Sequence, residues 1–478
     1  MKQLTQAVTL TLILGGCSLA PKYATPEVSL AEQWVGVALK EQGSKDVAPS
    51  KLGWQDFFTD PRLQKLITAA LIYNHDLKKA ALNVELAQAQ YAISRADRLP
   101  TVGFNGEATR SRQGEIMGRS NISERYNVGL GISNFELDFF GRVKNQSKAA
   151  LNKYLATREA RDAAQLSVIN TVAKTYYQWR IARALKDLAQ QTLATRQKTY
   201  RLTQLRFREG IAAGTDLSTA KSAIAQARAS YQEQIRTMQQ AENALAMLIG
   251  QPLEKLNLPK GKYLTQQFPD KTLFAGVPSK VLLNRPDIRQ AEYQLKAANA
   301  DIGAARAAMF PIISLTANTG YASSELDNLI GNATRLWSIG PAINLPIFDR
   351  GKRKAGVKIS KIQQKMAVES YQQAVQSAFR DVNDALVAGQ TLTKQYQAQK
   401  NGQAASAETL RLVRLQVQEG LADGLNLLDA ERANFAARQG TLATLLQLTN
   451  NQVDLYTALG GGLHAVAGAE KEQKTIGE

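Results

Sequence analysis

Apolar positions recur every seven residues along four long stretches of this chain and every second residue along short ones. Between Arg142 and Glu209 there is no proline and no glycine. One helix over that run of about 68 residues would extend roughly 100 Å at ~1.5 Å per residue. The run from Gly356 to Glu419 matches it, with Val368, Val375 and Val382 interleaved with Tyr371, Ala378, Ala385 and Leu392. Each run ends in a glycine-bearing turn, Glu209–Gly214 or Glu419–Gly424, and a returning helix follows. The returning seams are Leu217, Ile224, Tyr231, Met238 and Leu245, and then Leu428, Phe435, Leu442, Thr449 and Tyr456. Strict seven-residue spacing predicts left-handed supercoiling of paired helices.

The period-two segments are Thr101 to Arg112, Asn127 to Ser133, Ile312 to Ser323 and Ser338 to Leu345. Val128, Leu130 and Ile132 share one face of their segment, and Asn127, Gly129, Gly131 and Ser133 the other. Ile339, Ile343 and Leu345 likewise oppose Ser338, Gly340, Ala342 and Asn344. Strands of roughly ten residues, apolar on one side and small or polar on the other, are the pattern of an outer-membrane barrel. A soluble half-buried hairpin has the same periodicity.

These elements occur twice. Asp76, Arg95 and Pro100 correspond to Asp287, Arg306 and Pro311 at a constant offset of 211 (287 − 76), and Gly210, Gly214 and Gly250 to Gly420, Gly424 and Gly460 at 210. Each half is far longer than a solenoid repeat of roughly 20–50 residues. The expected division is a signal peptide over 1–16, a tether and equatorial segment over 17–58, repeats over 59–273 and 274–462, and a tail over 463–478. Met1-Lys2, the apolar Ala7–Leu14 stretch and Leu14-Gly15-Gly16-Cys17 read as a secretory leader, too short for a spanning helix. Cys17 is the single cysteine, so no intrachain disulfide forms. Its surroundings resemble the bacterial lipobox, which implies acylation at Cys17 and no other cofactor. Ser18 after the cysteine looks like the outer-membrane sorting choice. Pro21 and Pro26 bar a regular helix and predict a strap over the body.

Four strands cannot close a barrel, for which about eight are needed. Open edges in lipid leave unpaired backbone groups that cost several kcal/mol each. Other copies must therefore supply the rest: two give 8 strands with a filled interior, three give 12 and a lumen. The small, polar face favours the lumen.

Further residues carry a resemblance. Glu136-Leu137-Asp138-Phe139-Phe140-Gly141-Arg142, Asn284-Arg285-Pro286-Asp287-Ile288, Leu345-Pro346-Ile347-Phe348-Asp349, Leu427-Leu428-Asp429-Ala430 and Leu459-Gly460-Gly461-Gly462, with the lipobox and the Pro21/Tyr23/Pro26 strap, resemble the TolC-type outer-membrane efflux factors. The match is to their lipoprotein (OprM-like) branch and spans the chain in order; Phe135 stands where tryptophan is expected. The resemblance implies an α+β membrane protein in the bacterial outer membrane. It implies a homotrimer with a 12-stranded β-barrel, four strands per chain, continuous with a long coiled-coil α-helical barrel in the periplasm. It implies as partners a periplasmic adaptor protein, an inner-membrane resistance–nodulation–division pump and outer-membrane lipid. An equatorial region from Trp34–Leu52 and the C-terminal tail would surround the tube.

By the same resemblance Leu425 and Asp429 project inward as a periplasmic gate. They are four apart, so they share a helical face. An apolar ring impedes ions by dewetting and an acidic one favours cations. Arg432, three residues on, is placed to bridge Asp429. From the residues alone an early helical Asp also simply complements the dipole, the reading kept for Asp216. The tips at Gly210–Gly214 and Gly420–Gly424 are the expected adaptor-docking points.

Lys and Arg exceed Asp and Glu by 18 (59 against 41), but the charges are spread through helices and no nucleic-acid signature appears. Gly351-Lys352-Arg353-Lys354 is the one compact basic run, either solvated or facing phospholipid. His75 and His464 are the only histidines, neither with a ligand or nucleophile at useful spacing. No Walker loop or nucleophile elbow is present, so no enzyme is expected. The reading is passive, gated export of antibiotics, dyes or detergents. Rivals are a conduit for heavy-metal cations or a secreted polypeptide, and a poreless coiled-coil scaffold. The scaffold leaves the alternating segments and the lipobox unexplained.

Overall fold

The computed structural model describes residues 18–28, 53–112, 122–261, 279–329 and 334–461. Cys17, the Trp34–Leu52 segment, His464 and the C-terminal tail lie outside them. In chain order the elements are α1 (Trp54–Phe57), α2 (Pro61–Tyr73), α3 (His75–Ala96), β1 (Val102–Arg112), β2 (Ile122–Glu136), α4 (Arg142–Arg208) and α5 (Gly214–Ile249). Then follow α6 (Pro286–Ala307), β3 (Ile312–Ser323), β4 (Thr334–Asn344), α7 (Lys352–Gln418) and α8 (Gly424–Ala458). The class is α+β, and the order helix, two strands, two long helices occurs twice. The chain divides into two compact units, each drawing on both halves.

One unit holds the sheet. Its four strands are antiparallel in the order β1-β2-β3-β4. The register sorts the faces as the period-two pattern predicts. Phe104, Leu130, Thr319 and Trp337 form one cross-strand row, and Val102, Ile132, Ala317 and Ile339 the next. The opposite face carries Asn105, Gly129, Gly320 and Leu336, then Gly103, Gly131, Asn318 and Ser338. On that second face the backbones crowd: a Cβ on Gly129 would lie 2.6 Å from the Thr319 carbonyl, and one on Gly320 2.2 Å from that of Val128. Only glycine permits that approach.

β2 is longer than the Asn127–Ser133 segment that alternates. Polar Ser123, Glu124 and Arg125 break the pattern but still pair with β1. β4 begins at Thr334 and stops before Leu345. Between Ile132 and Phe135 the register shifts, with Asn134 at φ 51°. α7 starts at Lys352 rather than Gly356, because Asp349 receives the first free amides, from Gly351 (2.9 Å) and Arg353 (3.2 Å). Asp138, 211 residues earlier, receives Lys144 N at α4 (2.7 Å). Beside each carboxylate a glycine turns the chain, Gly141 at φ 73° and Gly351 at φ 84°.

In the same unit residues 18–28 have neither helix nor strand and lie along α6. Arg306 donates to the Leu19 carbonyl (3.0 Å), Asn299 to that of Pro21 (2.9 Å), and Tyr23 to Glu292 (3.3 Å). The strap thus runs antiparallel to the helix, its residue numbers rising as those of α6 fall. Gly303 lets it seat, since a Cβ there would lie 2.7 Å from that of Ala20.

The second unit holds the aromatic core. Phe57 stacks on Tyr456 at 4.0 Å, with Phe58, Leu66, Ile169 and Ile249 packed around them. Asp60 is fully buried there. It caps α2 through Arg62 N (2.9 Å) and accepts from Tyr176 (2.7 Å) and Arg180 (3.2 Å). The Tyr176 phenol is pushed up, first by burial and then by the Asp60 charge. Among the described residues no helix is long and apolar enough to cross a membrane, which leaves a β-barrel untouched.

Candidate functional site at the hairpin turns

Both hairpin turns belong to the second unit and close in one way. At the first, Gly210 takes φ 73°, Ile211 N reaches Arg206 O at 2.8 Å, and Gly210 N reaches Phe207 O at 3.1 Å. At the second, Gly420 takes φ 76°, Leu421 N reaches Gln416 O at 2.7 Å, and Gly420 N reaches Val417 O at 3.4 Å. This paired bonding through a left-handed residue satisfies the last helical carbonyls. Ile211 and Leu421, next to the glycines, are exposed. Gly214 and Gly424 differ: they begin α5 and α8, neither has positive φ, and a Cβ on Gly424 would meet nothing within 4 Å.

The two returning helices start on different carboxylates. Asp216 accepts from Ala213 N at 3.1 Å, a helix-start role of the kind expected for it. Asp423 is the N-cap of α8 and accepts from Asn426 N at 2.8 Å. Sequence reasoning passed over Asp423. Its signal is an Asp just before a glycine-led helix.

Leu425 and Asp429 follow on α8, both exposed, and Asp429 pairs with Arg432 at 3.1 Å as the spacing predicts. The side chains of Arg432 and Asp429 are 79% and 57% exposed, so solvent screens the pair heavily. Asp429 stands beyond the first turn, where the dipole's pull has faded, and the capping duty is already filled by Asp423. The dipole alternative therefore loses its basis for Asp429.

Behind this helix lies a cluster the sequence did not announce. Glu431 contacts Arg196 of α4 at 2.9 Å and Arg414 of α7 at 3.6 Å. Arg196 also donates to the Leu428 carbonyl at 3.2 Å. Burial pushes the Glu431 carboxyl up and the Arg196 guanidinium down, and the opposite charges pull each back. The partners are more than 230 residues apart in one case (431 − 196), which no local pattern reports.

Elsewhere the expected features fall as follows. His75 opens α3 and is exposed. Lys352 and Lys354 are exposed, while Arg353 turns back to Asp349 at 3.7 Å. Just before them Ile347 and Phe348 are 96% and 82% exposed. Ser18, one residue past Cys17, donates to Asn145 of α4 at 2.9 Å. Among the described residues there is no group of three or more His, Cys, Asp or Glu side chains able to hold a metal ion.

A family model described as "Outer membrane efflux protein" matches residues 66–251 and again 277–461. The chain is 41% identical over 480 residues to the toluene efflux pump outer membrane protein TtgC of Pseudomonas putida, covering 99% of each. It is 39% identical over 454 residues to the cation efflux system protein CusC of Escherichia coli, covering 94% of this chain and 97% of that one. The crystal structure of the open state of the Neisseria gonorrhoeae MtrE outer membrane channel superposes with a TM-score of 0.84 at 44% identity, covering 94% of this chain and 99% of that one.

Proposed function

Because this chain belongs to the outer membrane efflux protein family, we propose that three copies form the outer-membrane conduit of a tripartite pump, gated at the hairpin turns. Efflux is its activity and the outer membrane its place. The sheet carries the proposal. In the order β1-β2-β3-β4 two strands stand at the edges; one face is apolar apart from residues such as Thr319, and the other is small or polar apart from Leu336. Three such sheets, β4 of one against β1 of the next, pair every edge and give 12 strands around a polar lumen. Transport is passive and the chain performs no catalysis; energy enters from an inner-membrane pump of the resistance–nodulation–division type. A periplasmic adaptor meets the Gly210 and Gly420 turns, with Ile211 and Leu421 as apolar contacts, and favours the open state.

Leu425 and Asp429 form an apolar and an acidic ring at the opening, and Arg432 holds the Asp429 carboxylate in place. Lys352 and Lys354, beside exposed Ile347 and Phe348, meet lipid headgroups and acyl chains together. Cys17 carries the lipid; the Ser18–Asn145 bond holds its neighbour at the start of α4, close in sequence to the end of β2. The cargo is small organic compounds such as antibiotics, dyes and detergents, in keeping with the toluene efflux that the TtgC protein's name describes. Cation efflux, which CusC's name describes, is the second reading.

The test is reconstitution of purified protein in planar bilayers. Ring-shaped trimers that pass current only in small steps, with larger steps in Leu425→Ala and Asp429→Ser, are expected. A monomer without current would overturn the conduit. Loss of palmitate incorporation in Cys17→Ser checks the lipid site.

A further inference from the structure

Every charged side chain of the four strands except Glu136 lies toward one end of the sheet. That end is the far one. Helices α3, α4, α6 and α7 all join the sheet where Val102, Glu136, Ile312 and Asn344 stand, so both hairpin connections lie opposite. The register assigns each charge to a face. Arg110 pairs with Glu124 and Arg112 with Ile122, on the side of Phe104 and Leu130. Arg335, through its partner Tyr321, falls on that side as well. Glu107 and Arg125 fall on the side of Asn105 and Gly129, where their charges cancel. The apolar face thus ends in three arginines against one glutamate. The acids Glu325 and Asp327 stand past β3, in the turn rather than on the face.

The level at which these arginines appear is set by the membrane. A charge on a lipid-facing strand is tolerated only near an interface. From Arg335 to Ile343 is eight residues (343 − 335). At ~3.4 Å per residue and a tilt of ~40° they give about 21 Å of height, close to the ~25 Å of an apolar band. Tyr321 and Trp337, 51% and 75% exposed, stand beside that boundary as aromatic residues do in such barrels. Hydrocarbon therefore gives way to headgroups at Arg335, and Arg110 and Arg112 lie further toward the hairpin end. Arg110 meets Glu124 at 3.0 Å with 73% of its side chain exposed. Arg112 and Arg335 are exposed and have no ion-pair partner among the described residues.

An interface calls only for polarity; the sign and the residue type point to a ligand. Guanidinium groups grip phosphate through two parallel N–H bonds. Arg335 is on one edge strand and Arg110 and Arg112 on the other. Where β4 of one copy meets β1 of the next, the three arginines flank a single seam. We propose that this seam binds a phosphorylated lipid of the outer leaflet. Its phosphates sit on Arg335 of one copy and Arg110 and Arg112 of the next, and its acyl chains lie along Phe104, Leu130 and Trp337. A headgroup with two phosphates spans the seam, whereas one phosphate engages a single side. The proposal rests on the conduit reading, since a lone copy keeps the two edges apart.

The experiment measures how much lipid A, a glycolipid with two phosphates, stays on the full-length delipidated oligomer through gel filtration. Monophosphoryl lipid A and phosphatidylglycerol are run beside it, and current across planar bilayers is recorded for every variant. The triple variant Arg110→Gln, Arg112→Gln and Arg335→Gln is expected to retain about tenfold less lipid A while still conducting. Arg125→Gln makes the same charge change on the opposite face at the same level and should retain the wild-type amount. Monophosphoryl lipid A should bind the wild type more weakly and lose less in the triple variant. Wild-type retention in a conducting triple variant overturns the proposal and leaves the conduit standing. An equal loss in Arg125→Gln overturns it too, because net charge rather than the seam would then hold the lipid. If the triple variant fails to assemble, wild-type retention in both Arg112→Gln and Arg335→Gln overturns it instead. A monomeric wild type without current removes the seam, and this proposal falls with the conduit.

Discussion

Asn74 and Arg285, 211 residues apart (285 − 74), do the same work with different chemistry. Asn74 donates from Nδ2 to the Leu248 carbonyl at 2.6 Å, at the end of α5. Arg285 donates from Nη1 to the Ala458 carbonyl at 2.9 Å, at the end of α8. Each thus satisfies a last-turn carbonyl that its helix leaves free. Arg285 is further held by Asp287 (2.7 Å) and Asp381 (3.7 Å). Asn74→Ala also loses the bond from Leu77 N (2.9 Å) and is expected to cost about 1–3 kcal/mol in thermal denaturation. Arg285→Lys should lose a similar amount, because an ammonium cannot serve the carbonyl and the carboxylate with one planar fork.

The glycines at the turns separate by backbone conformation. Gly210→Ala and Gly420→Ala force a side chain into left-handed geometry and should each cost about 1–2 kcal/mol. Gly214→Ala and Gly424→Ala should be neutral or stabilise by up to about 1 kcal/mol, since alanine suits a helix and has room there. Limited proteolysis at the turns and melting curves report the difference.

In the sheet, Gly129→Ala and Gly320→Ala drive a Cβ into the neighbouring strand's backbone. Each is expected to cost about 1–3 kcal/mol and to lower the yield of heat-resistant oligomer. Gly103→Ala and Gly340→Ala, with nothing within 4 Å of the added carbon, are the controls and should assemble normally.

The strap has a pH signature. Burial, opposed by a bond to Thr25 and reinforced by the Glu292 charge, raises the Tyr23 phenol from 10.0 to about 12. Because the folded value exceeds the unfolded one, the stability it contributes is whole below pH 10 and is lost as pH rises through about 12. The phenolate absorbance of the wild type minus that of Tyr23→Phe should show a transition near pH 12. The same variant should lose the alkaline-labile part of the strap's protease protection. A difference spectrum without that transition counts against the strap's seating.

Much of this was legible beforehand because long helices write themselves densely. Val375, Ala378 and Val382 are all fully buried, as the seven-residue spacing requires. Strand faces were readable wherever Val, Leu or Ile alternated with Gly or Asn. They were unreadable at Ser123–Arg125, where pairing rather than burial holds the chain. Paired residues at the tip, such as Asp429 and Arg432, could be found because i,i+3 neighbours sit side by side. Arg196 and Glu431 could not. Neither looks unlike the many charged residues around it until three helices are packed, and burial is a property of the packing alone.

The strap's antiparallel course along α6 fixes an order of events. Leu19 meets Arg306 across 287 residues of chain, so the strap cannot seat before the second half has been made. Seating is thus a late step in folding, and the strap closes only over a helix that is already in place.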